Sequence, residues 1–193
     1  MIDKIPGIWE SAMSLPTKRV TRDAMMQRVA RFADLEGYDG GLPDSHYPGS
    51  ERTIYNVLGF QPPAGDNTIV SPVGAEAAEK AGIRIQEGFN VGYVACVSGN
   101  GALMHNHDTN ETFIPMTGIW EFQWEVDDRV EAVTLGPLDT ISMPAGVNRR
   151  FVNVTKNADP ATTNILMGII GGDTPGAEFS QGAMQLLRAK NLV

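Results

Sequence analysis

Residues 99–118 read GNGALMHNHDTNETFIPMTG, and the reading of this stretch decides the fold. His105 and His107 stand one residue apart, Glu111 follows four residues after the second, and Gly99 and Gly118 close the two ends. Successive side chains of a strand point to opposite faces, so His105 and His107 project together while Asn106 points away. Asp108, Thr109 and Asn110 carry turn chemistry, and Glu111 opens a returning strand close to the histidine pair. Two imidazoles and one carboxylate converging from a single hairpin make the donor set used for non-haem iron, and the same set suits Mn, Zn or Ni. The chain has only three His. Two of them fall here, between the apolar runs ALM and TFIPM, which favours an inward-facing cluster over a solvated rim.

On both sides of this hairpin the texture is β. FNVGYVACV (89–97), ALMHNH (102–107), ETFIPM (111–116), IWEFQWEV (119–126), RVEAVTL (129–135), DTISMPA (139–145), RRFVNV (149–154) and TTNILMGII (162–170) are strand-length runs separated by GNG, DTN, DD, GP, GVN and KNADP. Runs of this spacing joined by turn residues predict a closed antiparallel barrel or jelly roll. Upstream, RTIYNVLGF (52–60) and TIV (68–70) read as strands, and GAEAAEKAG (74–82) as a helical turn or two. TRDAMMQRVARFADLEG (21–37) predicts a helix, with Met25, Val29 and Phe32 at i, i+4, i+7, Thr21 as its cap and Gly37 at its end. AEFSQGAMQLLRAKN (177–191) predicts a closing helix with Ala183, Leu186 and Leu187 on one face.

Bulk properties exclude several function classes. The 193 residues suffice for one sizeable domain. Lys and Arg total 15 against 23 acids, a formal net charge of −8 without any basic run. Nothing here attracts nucleic acid or an anionic membrane surface. The start, MIDKIPGIWESAM, lacks the apolar core of a signal peptide. Runs such as ILMGII (165–170) are far too short to span a bilayer. The single Cys96 rules out an intramolecular disulfide framework, and its apolar neighbours mark it as a buried structural thiol. A cytoplasmic protein is expected.

The hairpin resembles the first cupin motif, G(X)5HXH(X)3,4E(X)6G, which Gly99, His105, His107, Glu111 and Gly118 match at every fixed position. The second cupin motif runs from a glycine through PXG, two residues, a histidine, three residues and an asparagine. Gly136, Pro144, Gly146 and Asn153 match it, with a slightly longer gap after the first glycine, but Arg149 takes the histidine's place. The resemblance covers about residues 65–172. It implies a mainly all-β fold, a double-stranded β-helix or cupin jelly-roll barrel, with its site inside and usually a homodimer. Residues 1–64 then form an N-terminal arm of helix, loop and strand, packing on the barrel or on a partner subunit. Residues 65–172 form the barrel and residues 173–193 a C-terminal helical tail. The activities the resemblance implies are broad: dioxygenases, decarboxylases, isomerases, epimerases, storage proteins and sugar-binding regulators. The fold therefore does not give the activity.

Arg149 leaves two self-consistent sites. A guanidinium has no lone pair to offer a metal, and a +1 group about 5 Å from a +2 ion repels it by about 6–7 kcal/mol at an effective dielectric of 20. In the first site His105, His107 and Glu111 hold a divalent transition metal (Fe, Mn, Zn or Ni) with open positions for substrate or O₂, as in a dioxygenase. Arg149 then orients Glu111 or grips a substrate anion. In the second, no metal binds and Glu111 pairs with Arg149. The histidines then serve a metal-free ligand-binding or regulatory protein, or an isomerase or epimerase. Phe151 and Asn153 share Arg149's face and Phe113 shares Glu111's, a pocket for a small anionic substrate with an apolar or aromatic body. His46, in the loop PDSHYPGS, is a possible extra ligand if that loop folds over the barrel mouth. The alternating face of Trp120, Phe122 and Trp124 marks a half-buried strand.

Overall fold

Alternation is the rule that builds this molecule, a computed structural model that describes residues 16–60 and 71–193. In chain order the elements are α1 (Arg22–Met26), β1 (Gly37–Tyr38), β2 (Thr53–Leu58), α2 (Ala75–Ala78), β3 (Phe89–Val97), β4 (His105–His107), β5 (Glu111–Pro115), β6 (Trp120–Val126), β7 (Arg129–Leu135), β8 (Ile141–Met143), β9 (Arg149–Asn153), β10 (Thr163–Gly171), β11 (Ala177–Phe179) and α3 (Gln181–Ala189). All pairings between these strands are antiparallel, in a six-stranded sheet ordered β1-β2-β3-β10-β5-β8 and a five-stranded sheet ordered β11-β4-β9-β6-β7. This is the jelly-roll architecture the sequence predicts. β1 and β2 come from the N-terminal arm and extend the first sheet beside β3.

Every second residue of β5, β9 and β10 is buried. The inward side chains meet in one core of Cys96, Ala102, Phe113, Trp120, Phe122, Met143, Phe151 and Leu166. Trp120 and Phe122 are fully enclosed, and an aromatic of this size buries about 150–250 Å². Trp120 Nε1 is satisfied by the carbonyl of Thr117 at 2.9 Å. Cys96 is buried in this core, and burial pushes its thiol up to about 12, against a smaller opposing pull from Arg52. It is an inert packing group, as its neighbours suggest.

Two glycines are required by close approach. At Gly101 an added Cβ would stand 1.9 Å from the carbonyl oxygen of Phe151. At Gly118, with φ +76°, it would stand 2.4 Å from Thr155 Oγ1.

Three expectations are corrected. The helix over 21–37 stops at Met26 and buries none of its residues. Met25 and Val29 are left about half exposed, and a stripe with so little packing cannot hold a helix together, because most helical stability in proteins is tertiary. The chain instead makes a 3₁₀ turn at Phe32–Asp34. The Phe32 ring lies 5.2 Å from that of Tyr55 and 5.7 Å from that of Tyr93, and Gly37 pairs with Tyr55 rather than ending a helix. The strand expected over 102–107 shrinks to His105–His107, because the N–H of Leu103 is taken by a side chain, Asp44 Oδ2 at 3.0 Å. The tail is not helical from 177: Ala177–Phe179 adds a strand to β4, and α3 begins after Ser180, whose Oγ accepts from Ala183 N at 3.2 Å. Within α3, Ala183 and Leu187 pack against Leu103, while Leu186 is 44% exposed and not part of that face. The short strand expected at 68–70 lies outside the described residues. Among the described residues no helix is long and apolar enough to cross a membrane.

Truncating Leu187 to Ala should cost about 2–5 kcal/mol, the range for a fully buried leucine. Leu186→Ala should stay within about 0.5 kcal/mol. Urea unfolding midpoints of the two variants check this.

Candidate metal centre

Four titratable side chains meet at one end of the barrel. β4 supplies His105 and His107, β5 begins with Glu111, and β9 begins with Arg149, whose Cα is registered opposite His105. One donor atom from each of His105, His107 and Glu111 lies within 4.8 Å of the other two. The imidazole rings are 5.1 Å apart and inclined at 75°. His107 Nε2 is 3.3 Å from Glu111 Oε2.

The hydrogen bonds determine which nitrogen faces the centre. His105 Nδ1 lies 2.7 Å from the carbonyl of Leu103, and His107 Nδ1 lies 2.8 Å from the carbonyl of Gly176. A carbonyl only accepts, so Nδ1 carries the proton in both rings. Both Nε2 atoms are thereby turned to the centre. A proton or a cation between His107 Nε2 and Glu111 Oε2 would satisfy their 3.3 Å approach, and the three clustered donors are of the kind that fits a divalent transition ion. Burial, then the His107 ring and Arg149, hold His105 down to about 4 against the opposing pull of Glu111, which leaves it neutral at neutral pH. Burial alone would raise Glu111, but His107 and Arg149 outweigh it and hold the carboxyl at about 2.

Arg149 is fully enclosed. Its Nε donates to Glu111 Oε2 at 3.2 Å and its Nη1 to the carbonyl of Val147 at 3.0 Å. Its Nη2 is buried and has no partner among the described residues. Burial lowers its pKa, with Glu111 opposing.

A cavity of about 60 Å³ opens on the trio, walled by His105, His107, Glu111, Phe113, Phe151 and Gly168. The structure also places the other candidates. Arg149 donates to Glu111, one of the two roles expected of it, and is not among the residues that wall the cavity. Asn153 faces inward as its parity requires, but it lies further along the barrel, donating to the Cys96 carbonyl at 2.8 Å and to Asn164. Strand parity fixes a face, not a depth. His46 is exposed and lines a separate groove with Asp39, Gly40 and Thr53, so the trio stands without it.

Sequence reasoning missed the buried pair Asp44–Arg52, joined at 2.8 Å and also on the cavity wall. A signal existed: Arg52 has the same parity as Ile54 and Asn56, which β2 buries. It also missed Asp108 and Gly176, which hold His107.

No protein-family model matches the chain, and no curated protein matches it. Solved structures do. An oxalate decarboxylase from Lactobacillus farciminis, in a formate complex, aligns with a TM-score of 0.51 at 8% identity, over 79% of this chain and 36% of that one. A vicilin from Corylus avellana (hazelnut) aligns with a TM-score of 0.49 at 10% identity, over 79% and 36%. A cupin superfamily protein from Desulfitobacterium hafniense gives 0.39 at 10% identity, over 47% and 73%. The chain spans about a third of the length of the first two. At these identities the likeness is one of fold alone: the chain is a jelly-roll β-fold.

Both lowered groups bind protons more readily in the unfolded chain, so the chelator-treated protein should lose stability on acidification in two windows. The first runs from 6.5 down through about 4 for His105, the second from 4.5 down through about 2 for Glu111. Each window's slope approaches one proton, about 1.4 kcal/mol per pH unit. Urea unfolding across this range checks it, and His105→Gln should flatten the upper window.

Proposed function

We propose that this chain is a metal-dependent enzyme that holds a divalent transition ion, Fe, Mn, Zn or Ni, on His105, His107 and Glu111 and acts on a small carboxylate anion. One observation carries the reading: two Nε2 atoms and a buried carboxylate share a centre, with both Nδ1–H groups tied to carbonyls. When bound, the ion would supply Lewis-acid and, for Fe or Mn, redox chemistry at open positions, the arrangement of non-haem oxygenases. Oxidation of the dioxygenase type is the reaction class proposed.

The residues set the charge. Glu111 and Arg149 cancel, so a divalent ion leaves about two positive charges inside the barrel, which an anionic ligand would balance. Arg149 holds Oε2 and keeps the carboxylate ionised and oriented. Phe113 and Phe151 wall the cavity and exclude water. A space of about 60 Å³ suits an anion of a few heavy atoms rather than an aromatic body, since a cavity of about 150 Å³ is what takes a benzene ring. The likeness of fold to an oxalate decarboxylase holding formate supports the same size class.

A metal-free reading also has an observation in its favour. Arg149 Nε at 3.2 Å and His107 Nε2 at 3.3 Å already converge on Glu111 Oε2 and could close the cluster alone. Elemental analysis of protein purified without an affinity tag separates the two. The metal reading expects about one equivalent per chain, lost in His107→Ala, and a Mn(II) spectrum altered by formate or oxalate. Less than about a tenth of an equivalent after reconstitution would favour the metal-free site.

The homodimer implied by the resemblance belongs to the same proposal. Met25, Met26, Val29 and Phe32 are each about half exposed, an apolar face a second subunit would cover. Light scattering should report a dimer, and Met25→Glu with Val29→Glu should shift it toward monomer.

A further inference from the structure

Each imidazole is aimed by a carboxylate through one intervening residue. Asp44 Oδ2 accepts the N–H of Leu103 at 3.0 Å, and the carbonyl of Leu103 accepts Nδ1–H of His105 at 2.7 Å. Asp108 Oδ1 accepts the N–H of Gly176 at 2.8 Å, and the carbonyl of Gly176 accepts Nδ1–H of His107 at 2.8 Å. The order of groups is the same in both chains of contacts, although they are assembled from different parts of the sequence. Asp44 comes from the N-terminal loop and Gly176 from the segment before β11, both outside the stretch that carries the cupin motifs.

We infer that Asp44 and Asp108 are positioning residues that fix the tautomer and direction of His105 and His107, and that the N-terminal loop and the C-terminal segment belong to the site by this route. The N–H and the C=O of one residue belong to different peptide groups. The carboxylate therefore acts on the ring by fixing the backbone that carries the acceptor, not by conducting charge to it. A neutral imidazole can carry its proton on either nitrogen, and the bond made by one nitrogen decides the other's role. Without the Leu103 carbonyl in place, Nε2 could keep the proton and lose its lone pair for a ligand.

The two carboxylates differ in setting. Asp44 is buried and clamped by Arg52 Nη2 at 2.8 Å, and Arg52 also donates to the carbonyl of Ser50. Asp108 is exposed. Removing Asp44 alone would strand a buried guanidinium, so its test removes both charges together, whereas Asp108 can be changed singly.

The use of this device rests on the metal reading; its existence does not. The test uses the full chain labelled with ¹⁵N-histidine. Its three His give three ring patterns in a long-range ¹H–¹⁵N correlation before any metal is added. Wild-type His105 should show the Nδ1–H tautomer. In Asp44→Leu with Arg52→Met it should show a mixture, with the fold verified by circular dichroism. Asp108→Ala should perturb the His107 ring signals and weaken Zn(II) binding about tenfold, the lower end for an outer-shell partner. Asp108→Asn keeps an oxygen for the Gly176 N–H and should restore affinity to within about twofold. An unchanged His105 tautomer in the double variant, together with an unmoved His107 ring in Asp108→Ala, would overturn the inference. Shifted rings in a protein that takes up no Zn(II) would uphold the positioning and overturn the metal reading alone.

Discussion

A carboxylate that is only 5% exposed inside a β-barrel is the constraint on which the rest of this structure depends. An ionised carboxyl does not stay charged in an apolar interior unless opposite charge and hydrogen bonds hold it there. Glu111 has both, from Arg149 Nε and from the His107 ring, at the same oxygen. Those partners cost desolvation of their own, and the guanidinium of Arg149 still leaves Nη2 unpartnered. Such a cluster is a poor way to stabilise a fold. Four apolar residues would fill the same space at less risk, so the arrangement points to chemistry at the site rather than to packing.

The barrel is graded along its axis to make this tolerable. At the polar end stand His105, His107, Glu111 and Arg149. Next come Phe113 and Phe151, with ring centroids 5.4 Å apart, then Phe122 and Trp120 in the closed core. Asn153 follows on β9, satisfied by Cys96, Asn164 and Thr155. Arg149, Phe151 and Asn153 are three inward positions of one strand doing three different jobs. The aromatic layer keeps water out of the core and gives the trio its wall. Register makes it so: Phe122 pairs with Phe151 and Trp124 with Arg149, so one strand pairing sets both the core layer and the polar layer.

What could be read in advance followed from short-range geometry. His105 and His107 sharing a face and Glu111 opening the return strand follow from strand parity and one tight turn, whereas Arg149 was tied to them only by the resemblance to the second cupin motif. The chain of strands from residue 89 to residue 171 was legible for the same reason. Failures came where a longer-range contact decided the outcome. Met25, Val29 and Phe32 form a helical stripe, but Phe32 packs on Tyr55 and Tyr93, and the helix ends before it. Asn153 has the right face at the wrong depth. Asp44 and Gly176 are far from the motif in sequence, and no local pattern ties them to the two histidines.

An arginine where a cupin motif carries histidine turns a question of coordination into one of charge. A third imidazole would add a neutral donor; Arg149 adds a positive charge and no lone pair. It also takes Oε2 of Glu111 into a hydrogen bond, which draws electron density from that oxygen and weakens it as a donor. Both effects lower affinity for a cation in an otherwise empty pocket. Both are relieved when an anion enters, because the anion meets the surplus charge and completes the shell. A centre of this kind, if it holds a metal as proposed, would bind ion and anion cooperatively, each being weaker without the other. A cavity of about 60 Å³ walled by Phe113 and Phe151 would then favour an anion of a few heavy atoms. On the proposed metal reading, Arg149 would make the centre hold its ion more strongly whenever an anion sits beside it.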